Sequence, residues 1–431
     1  MSNTGRSANY TMSIVIIGAL FFIFGFVTWV NGTLIPYFKI ACELKSDFQA
    51  YLVTTAFFIA YTVMAIPSSY VLRKTGYKKG MALGLLIMAV GAIIFVPAAA
   101  TRSFNMFLVG LFIIGTGLAL LQTASNPYAT IIGPIESAAT RISILGVCNK
   151  VAGILAGLIF GYIALNDADT LIAGLQTMDA ATKEATLNEL AGRVIVPYII
   201  ISATLVLLSI GILFSGLPDI DDNGGADESQ PGSSSVVKTS PFQYPHLVFG
   251  VLALFFYVGV EVLAGDTIIN YGKSLGIELS TARYFTQATL AFMLVGYVIG
   301  IFTIPKYISQ AKALQICAII GIIFTVLAIL TEGYVSVGFI AALGIANSLM
   351  WPAIFPLAID GLGKFTKIGS AFLIMAIAGG AILPLIYGKL SDVWNTQQAY
   401  WIMVPCYLFI LYFGMKGYKA GKTLPKGQAT R

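Results

Sequence analysis

Residues 12–38 read MSIVIIGALFFIFGFVTWVNGTLIPYF, a stretch without a charged side chain. The hydrocarbon core of a bilayer is about 30 Å thick, so a helix needs roughly 20 apolar residues to cross it. This stretch is therefore predicted to span a membrane as a helix. Eleven further runs of the same kind lie at 48–72, 80–100, 104–131, 138–165, 194–216, 246–271, 281–305, 312–331, 335–359, 367–390 and 398–415. The predicted fold class is an all-α membrane protein with twelve transmembrane helices, numbered below as spans 1 to 12.

The composition excludes an ordinary soluble enzyme. Of the 431 residues 58% are hydrophobic and 10% are charged, whereas about 25% of the residues in a soluble domain are charged. One histidine and four cysteines without C-x-x-C spacing do not favour a metal site. The sequence shows no nucleophile motif and no phosphate-binding glycine loop, so neither an enzyme nor a cofactor is expected. The net charge of +6 comes from basic residues in short pieces between apolar runs, which favours a lipid bilayer over nucleic acid as the partner.

The chain divides into two halves with a linker and a tail. Residues 1–216 hold six predicted spans, 217–245 are acidic and then Gly/Ser/Pro-rich, 246–415 hold six more spans, and 416–431 form a basic tail. If the N-terminus is cytoplasmic, 16 Lys and Arg residues lie inside and eight outside, as the positive-inside rule requires. We therefore expect cytoplasmic termini and linker, with the polar, helix-prone segment 166–193 on the other side.

The two halves resemble each other weakly in three places. The matches pair residues 31–37 with 265–271, residues 141–153 with 367–379, and Asn126-Pro127 with Trp351-Pro352. A parallel repeat of six plus six helices is typical of transporters whose halves rock about a central substrate site. The two prolines lie midway through corresponding helices, where discontinuous spans indicate a binding site.

Three ionisable residues lie deep in the predicted spans: Lys150 in span 5, and Glu261 and Asp266 in span 7. A charge at mid-bilayer costs about 2.5–3.5 kcal/mol on insertion scales, so each needs a partner or a function. The two acids are five residues apart and cannot share one narrow helix face. Two interpretations stay open: a structural ion pair with Lys150 that fastens the halves, or an acid that binds and releases a driving cation.

Polar uncharged side chains form a second set of candidates on spans 1, 4, 5, 8 and 10. Amides donate and accept hydrogen bonds within one group, which suits sugar hydroxyls, and an aromatic face covers the apolar side of a pyranose ring. The same residue types also join helices to one another in lipid. The candidate substrate contacts are Asn31, Gln122, Asn126, Asn149, Gln287, Asn347 and Trp351.

Several motifs resemble a known family. GYKKG (76–80) is similar to the cytoplasmic loop signature of the major facilitator superfamily. NGTLIPYF (31–38), LQTASNPYATIIG (121–133) and MWPAIFPLAIDGLGKFTKIGSAFLIMAIAGGAILP (350–384) resemble its fucose permease and glucose/galactose transporter branch. The resemblance covers essentially the whole chain. It implies a bacterial inner-membrane symporter that takes up a monosaccharide by alternating access.

Two positions depart from the pattern of that branch. The resemblance leads us to expect an aspartate where Gly32 stands, and the fucose permeases carry a glutamate where Gln122 stands. Both of the acids tied to proton coupling are therefore missing. We expect the cation-handling acid in span 7, as Asp266 or Glu261 with Lys150 as counter-charge. A sodium ion near Asp266 or Glu261 is as plausible as a proton, because carboxylate and amide oxygens suit a hard cation.

The function predicted from the sequence is cation-coupled import of a hexose, glucose or galactose ahead of fucose, by a monomer embedded in the bilayer. Two rivals stay open. A uniporter would equilibrate sugar without concentrating it, and a sugar sensor would bind without transport. No signalling domain accompanies the spans to support the sensor.

Overall fold

The computed structural model describes residues 3–131, 138–217, 240–304 and 306–422, and within these ranges all regular structure is helical. The helices of the first half are α1 (Asn3–Trp29), α2 (Asn31–Ala41), α3 (Asp47–Ile93), α4 (Phe95–Ala100), α5 (Phe104–Ile131), α6 (Ala138–Leu165), α7 (Ala168–Leu175), α8 (Ala180–Gly192) and α9 (Ile195–Phe214). Those of the second half are α10 (Pro245–Asp266), α11 (Ile268–Ser274), α12 (Leu279–Ala282), α13 (Phe285–Thr303), α14 (Gln310–Leu330), α15 (Gly333–Ser348), α16 (Met350–Ile359), α17 (Thr366–Met375), α18 (Gly379–Val393), α19 (Thr396–Ala399) and α20 (Met403–Met415).

Among the described residues, eleven helical stretches are long and apolar enough to cross a membrane, and the longest, of 54 residues, is long enough to cross it twice. That stretch contains α3 and α4, and Gly76 interrupts α3 with a φ of 74°. Residues on both sides of Gly76 pack against α5: a Cβ at Gly115 would lie 2.3 Å from the Phe57 carbonyl oxygen, and one at Gly117 2.4 Å from that of Gly84. The chain therefore reverses at Gly76. This confirms twelve spans.

The spans correspond to the helices as follows. Span 1 is α1 with α2, spans 2 and 3 are the two parts of α3 with α4, and spans 4, 5 and 6 are α5, α6 and α9. Spans 7 to 12 are α10 with α11, α12 with α13, α14, α15 with α16, α17 with α18, and α19 with α20. Two short helices, α7 and α8, form in the polar segment between spans 5 and 6. Most of the predicted linker, 218–239, and most of the basic tail lie outside the described residues.

Several spans are broken within their length, past the middle of the span. The breaks fall at Val30 in span 1, Thr267 in span 7 and Leu349 in span 10. The second break lies in one of the two segments that match in the internal repeat, and the first lies directly before the other. Candidate site residues flank all three breaks, as discontinuous transporter helices lead one to expect.

Hydrogen bonds between the halves cluster toward one end of the bundle, called here the Asp47 end, where spans 2 and 8 begin and spans 5 and 11 end. Thr55 Oγ1 of span 2 donates to the Ala381 carbonyl of span 11 at 2.8 Å. Nearer that end, the rings of Tyr51 and Tyr387 meet edge to face with centroids 5.5 Å apart. These contacts close the Asp47 end. The opposite end, where span 6 ends and span 7 begins, is called the linker end.

Span 1 packs against span 5 at Gly25, so a single substitution at this glycine tests the contact. A Cβ at Gly25 would lie 1.8 Å from the backbone oxygen of Asn149. We expect Gly25→Ala to destabilise the protein by about 1–3 kcal/mol, because the two helices must separate. The melting temperature in detergent should fall by about 2–6 °C.

Gly18, on the same helix, has no described atom of another helix within 4 Å of its Cβ position. Gly18→Ala should leave the melting temperature unchanged or raise it slightly, because alanine favours a helix. Equal effects of the two substitutions would contradict the described packing of spans 1 and 5.

Candidate transport site

A buried ion pair joins the halves through spans 5 and 7. Lys150 Nζ lies 3.0 Å from Glu261 Oε1, and the two side chains are 8% and 12% exposed. Each charge offsets the cost of burying the other, although a pair in a low-dielectric setting seldom adds net stability. The structure thus brings together Lys150 and Glu261, two of the three ionisable residues predicted to act as a group.

The ammonium group of Lys150 is also covered by an aromatic ring from span 1. Lys150 Nζ lies 4.2 Å from the centroid of the Trp29 ring, a distance at which a cation–π interaction is favourable. Trp29 Nε1 donates to Asn149 Oδ1 at 3.3 Å, and Asn149 Nδ2 donates to the Phe21 carbonyl at 3.4 Å. The Asn149 amide is therefore occupied within the first half in this conformation.

Asp266, the third ionisable residue, lies apart from this pair. It is the last residue of α10, is 2% exposed, and accepts a hydrogen bond from Thr54 Oγ1 of span 2 at 3.3 Å. No described Lys or Arg lies within ion-pair distance of it. A buried carboxyl without a cationic partner needs a proton or a bound cation to offset its desolvation. Of the two acids in span 7, Asp266 is therefore the one without a cationic partner among the described residues.

The packing around Gly32 explains why no acid stands there. A Cβ at Gly32 would lie 2.9 Å from Thr286 Oγ1, 3.1 Å from the Gly265 carbonyl oxygen and 3.3 Å from the Asp266 Cα. Gly32 and Asp266 thus occupy matching positions of the repeat and contact each other across the interface. An aspartate at Gly32 would clash with span 7 and place two carboxyls side by side.

Three candidate amides are buried with hydrogen-bonding capacity unused. Among the described residues, neither amide atom of Asn31 or Gln287 has a hydrogen-bond partner, and for Asn347 only the Nδ2 lacks one. The Asn347 Oδ1 accepts from the Tyr407 hydroxyl at 2.8 Å. Buried polar groups are nearly always paired, so these three residues indicate places where a polar ligand or water completes the bonding.

Two further candidates, Gln122 and Trp351, have partners inside the protein. Gln122 Nε2 donates to the Tyr61 hydroxyl at 3.0 Å. Trp351 is half-buried and stacks on Phe355, with ring centroids 5.9 Å apart. The side chain of Asn126 lies outside the described part of the chain.

One face of span 5 contacts Trp29 of span 1 and the candidate Gln287 of span 8. A Cβ at Gly153, three residues after Lys150, would lie 2.6 Å from Trp29 Cδ1, and one at Gly157 would lie 1.8 Å from Gln287 Nε2. Trp29, Lys150 and Gln287 therefore lie along this face. Trp351 forms a separate group with span 7, since its ring centroid is 6.5 Å from that of Tyr257.

Sequence reasoning missed the hydroxyl partners in these contacts: Thr54, Tyr61 and Tyr407. Threonine and tyrosine are common in apolar runs, and a single sequence carries no signal that selects these three from the rest. The repeat pointed to Asp266 but not to Thr54, because Thr54 lies in another span.

A helical protein of twelve spans, with two halves that meet at a buried ion pair and at unpaired polar groups, has the architecture of a secondary transporter. Comparison with known sequences agrees: the profile of the major facilitator superfamily matches residues 17–376. The chain belongs to this superfamily, which confirms the resemblance and makes the protein a membrane transporter rather than an enzyme.

Relatives match over nearly the whole chain. A glucose/galactose transporter from Brucella abortus is 33% identical over 422 residues, which are 97% of each chain. An L-fucose-proton symporter from Escherichia coli is 31% identical over 416 residues, covering 95% of this chain and 94% of its own. Among solved structures, the transporter FucP in the outward conformation is 29% identical with a TM-score of 0.72, covering 94% of this chain and 98% of its own.

Proposed function

We propose that this protein imports a monosaccharide across a bacterial inner membrane by cation-coupled symport, with glucose or galactose preferred to fucose. The proposal rests on one observation: amides that are buried without partners among the described residues lie at the same interface as the buried Asp266. The amides suit sugar hydroxyls, and the carboxyl suits a coupling cation. The glucose/galactose relative at 33% identity supports the sugar class.

Among cations, the surroundings of Asp266 favour a proton. A hard metal cation in a protein site takes about six oxygen ligands, whereas Asp266 has one hydroxyl partner among the described residues. Within the described ranges, no three or more His, Cys, Asp or Glu side chains are grouped so that they could hold a metal ion. A proton needs only the carboxyl itself. The L-fucose-proton symporter among the relatives supports the same choice.

The proposed orientation places both termini and the linker in the cytoplasm, as the excess of 16 over eight Lys and Arg residues favours. The Asp47 end then faces outward, and the conformation described here is closed to the outside. Coupling follows if cation and sugar both stabilise a closed intermediate, because two ligands that favour one state raise each other's affinity. The protein is proposed to act as a monomer.

Uptake of labelled glucose, galactose, mannose and fucose into proteoliposomes tests the proposal. We expect glucose or galactose to accumulate when a proton gradient is imposed and not when a sodium gradient alone is imposed. Accumulation driven by sodium would overturn the choice of cation. Equilibration without accumulation would establish the uniporter, and sugar binding without flux would establish the sensor.

Gln287 offers a test of the sugar contacts. Its amide has no hydrogen-bond partner among the residues that the structure describes, so Gln287→Ala should not break an internal bond. We expect the KM for the preferred sugar to rise about tenfold, the value of one lost hydrogen bond to a buried ligand, with little change in melting temperature. Gln176→Ala, at an exposed residue, is the matched control. An unchanged KM for Gln287→Ala would remove this residue from the sugar site.

A further inference from the structure

Two aspartates at the Asp47 end each bind the backbone of the opposite half. Asp392, at the end of span 11, accepts from the Asp47 N–H at 2.8 Å and the Phe48 N–H at 3.1 Å. Asp169, in α7 after span 5, accepts from the Leu279 N–H at 3.0 Å and the Ser280 N–H at 2.9 Å. Each carboxylate uses both oxygens on two successive N–H groups.

The two contacts correspond to each other in the internal repeat. Asp169 follows span 5 and Asp392 ends span 11, which are matching spans of the two halves. The N–H groups they bind belong to the first residues of spans 2 and 8, which also match. An aspartate of the first half thus caps a helix of the second half, and an aspartate of the second half caps a helix of the first half in the same way.

The N–H groups that these aspartates bind have no partner within their own helices, because the first turn of any helix leaves its N–H groups free. A carboxylate is the strongest acceptor for them, since the hydrogen bonds are charge-assisted. The bonds cross from one half to the other, so they exist only while the Asp47 end is closed. When the halves separate there, the carboxylates and N–H groups must pass to water.

We propose that Asp169 and Asp392 are a matched pair of latches that set the equilibrium between the closed and open states of the Asp47 end. The inference rests on the alternating-access part of the proposed function and is independent of the substrate and of the cation. Asp47 strengthens the closure, because its carboxylate accepts from Asn270 Nδ2 at 3.1 Å and from Ser391 Oγ at 2.6 Å. Both donors belong to the second half.

A control residue lies two positions before Asp169. Asp167 pairs with Arg193 within the first half, and that guanidinium holds the pKa of the Asp167 carboxyl below its usual value. Burial raises the pKa of the Asp169 carboxyl, but the N–H groups of Ser280 and Leu279 oppose this and leave that pKa lowered as well. Substitution of either aspartate by asparagine therefore removes one negative charge. Only the charge of Asp169 bridges the halves.

The test measures the distance across the Asp47 end by electron paramagnetic resonance. Spin labels would be placed at Glu184→Cys in the first half and Val335→Cys in the second, both exposed, with the four native cysteines replaced by alanine. Each of Asp169→Asn and Asp392→Asn should raise the ratio of open to closed populations about fivefold, as expected for loss of one helix cap. The double variant should raise it about 25-fold, because the two sites are separate.

Hydrogen exchange gives a second measurement on the full-length protein. The N–H groups of Asp47 and Phe48 should exchange faster in Asp392→Asn, and those of Leu279 and Ser280 in Asp169→Asn. Asp167→Asn should change neither exchange nor the distance distribution. The proposal fails if the double variant keeps the parent distribution or if Asp167→Asn shifts it equally. Failure of the proposed function would instead appear as absent sugar uptake, a separate readout.

Discussion

Lys150→Met should all but eliminate functional protein, because it leaves the Glu261 carboxylate buried and without its counter-charge. Loss of one partner from a buried ion pair costs about 3–5 kcal/mol, a factor of about 150 or more in an equilibrium constant. Glu261→Gln should reduce the yield of functional protein to a similar extent, because it leaves the Lys150 ammonium buried without its counter-charge. The measurements are the yield of monodisperse protein, its melting temperature in detergent, and sugar uptake into proteoliposomes.

The double variant Lys150→Met with Glu261→Gln separates the two roles proposed for the pair. Removal of both charges leaves no unpaired ion, so the melting temperature should recover. We also expect sugar accumulation to return, because Asp266 keeps its place as the coupling acid. A stable double variant that equilibrates sugar without concentrating it would assign the cation to Glu261 instead.

An exposed pair provides the control for these substitutions. Lys183 Nζ lies 2.7 Å from Glu43 Oε1, with side chains 40% and 46% exposed. Lys183→Met removes an ion pair of the same chemistry from water-facing surface, where such pairs contribute about 0–1 kcal/mol. Its uptake and melting temperature should match those of the parent protein.

Asp266→Asn should uncouple transport without stopping it. Asparagine has nearly the same shape and can still accept the Thr54 hydrogen bond, but it cannot take up and release a proton. A membrane potential of 100 mV supplies about 2.3 kcal/mol per charge, enough for roughly 50-fold accumulation of sugar. In the variant the inside-to-outside ratio should stay near one, while exchange of labelled for unlabelled sugar continues.

Asp360→Asn is the matched control for Asp266→Asn. The Asp360 side chain is 69% exposed and pairs with Lys422 at 2.7 Å, so its loss should leave accumulation unchanged. If Asp266→Asn accumulates sugar as the parent does, Asp266 is not the coupling acid. If it neither accumulates nor exchanges sugar, the residue is needed for the conformational change itself.

The number of spans follows from the sequence because apolar runs of membrane length are a direct physical requirement of crossing lipid. Their internal breaks are less predictable. Val30 and Leu349 lie within apolar stretches, and their conformation depends on contacts with neighbouring spans. The sequence predicts the boundary between spans 2 and 3 at residues 72–80. In the structure only Gly76 has a non-helical backbone conformation there, so the observed boundary is narrower than the predicted one.

The candidate site was predictable in part. The cost of burying charge singles out Lys150, Glu261 and Asp266, and the sequence left open whether Lys150 pairs with an acid. Which acid it contacts depends on the rotation of span 7, which no pattern in one sequence specifies. Asp169 and Asp392 attracted no prediction, since acids in connecting segments carry little information about topology. Their importance emerges only when their partners in the opposite half are seen.

The position of the Lys150–Glu261 pair has a mechanical consequence. Leu165, the last residue of span 5 and four residues before Asp169, is 15 residues farther along the helix than Lys150, a lever arm of about 22 Å at 1.5 Å per residue. If the pair is the fulcrum, a tilt of about 10° carries the latch by about 4 Å, which exceeds the reach of a hydrogen bond. The same tilt hardly moves the fulcrum. A small rotation is thus sufficient to open the far end while the centre stays joined.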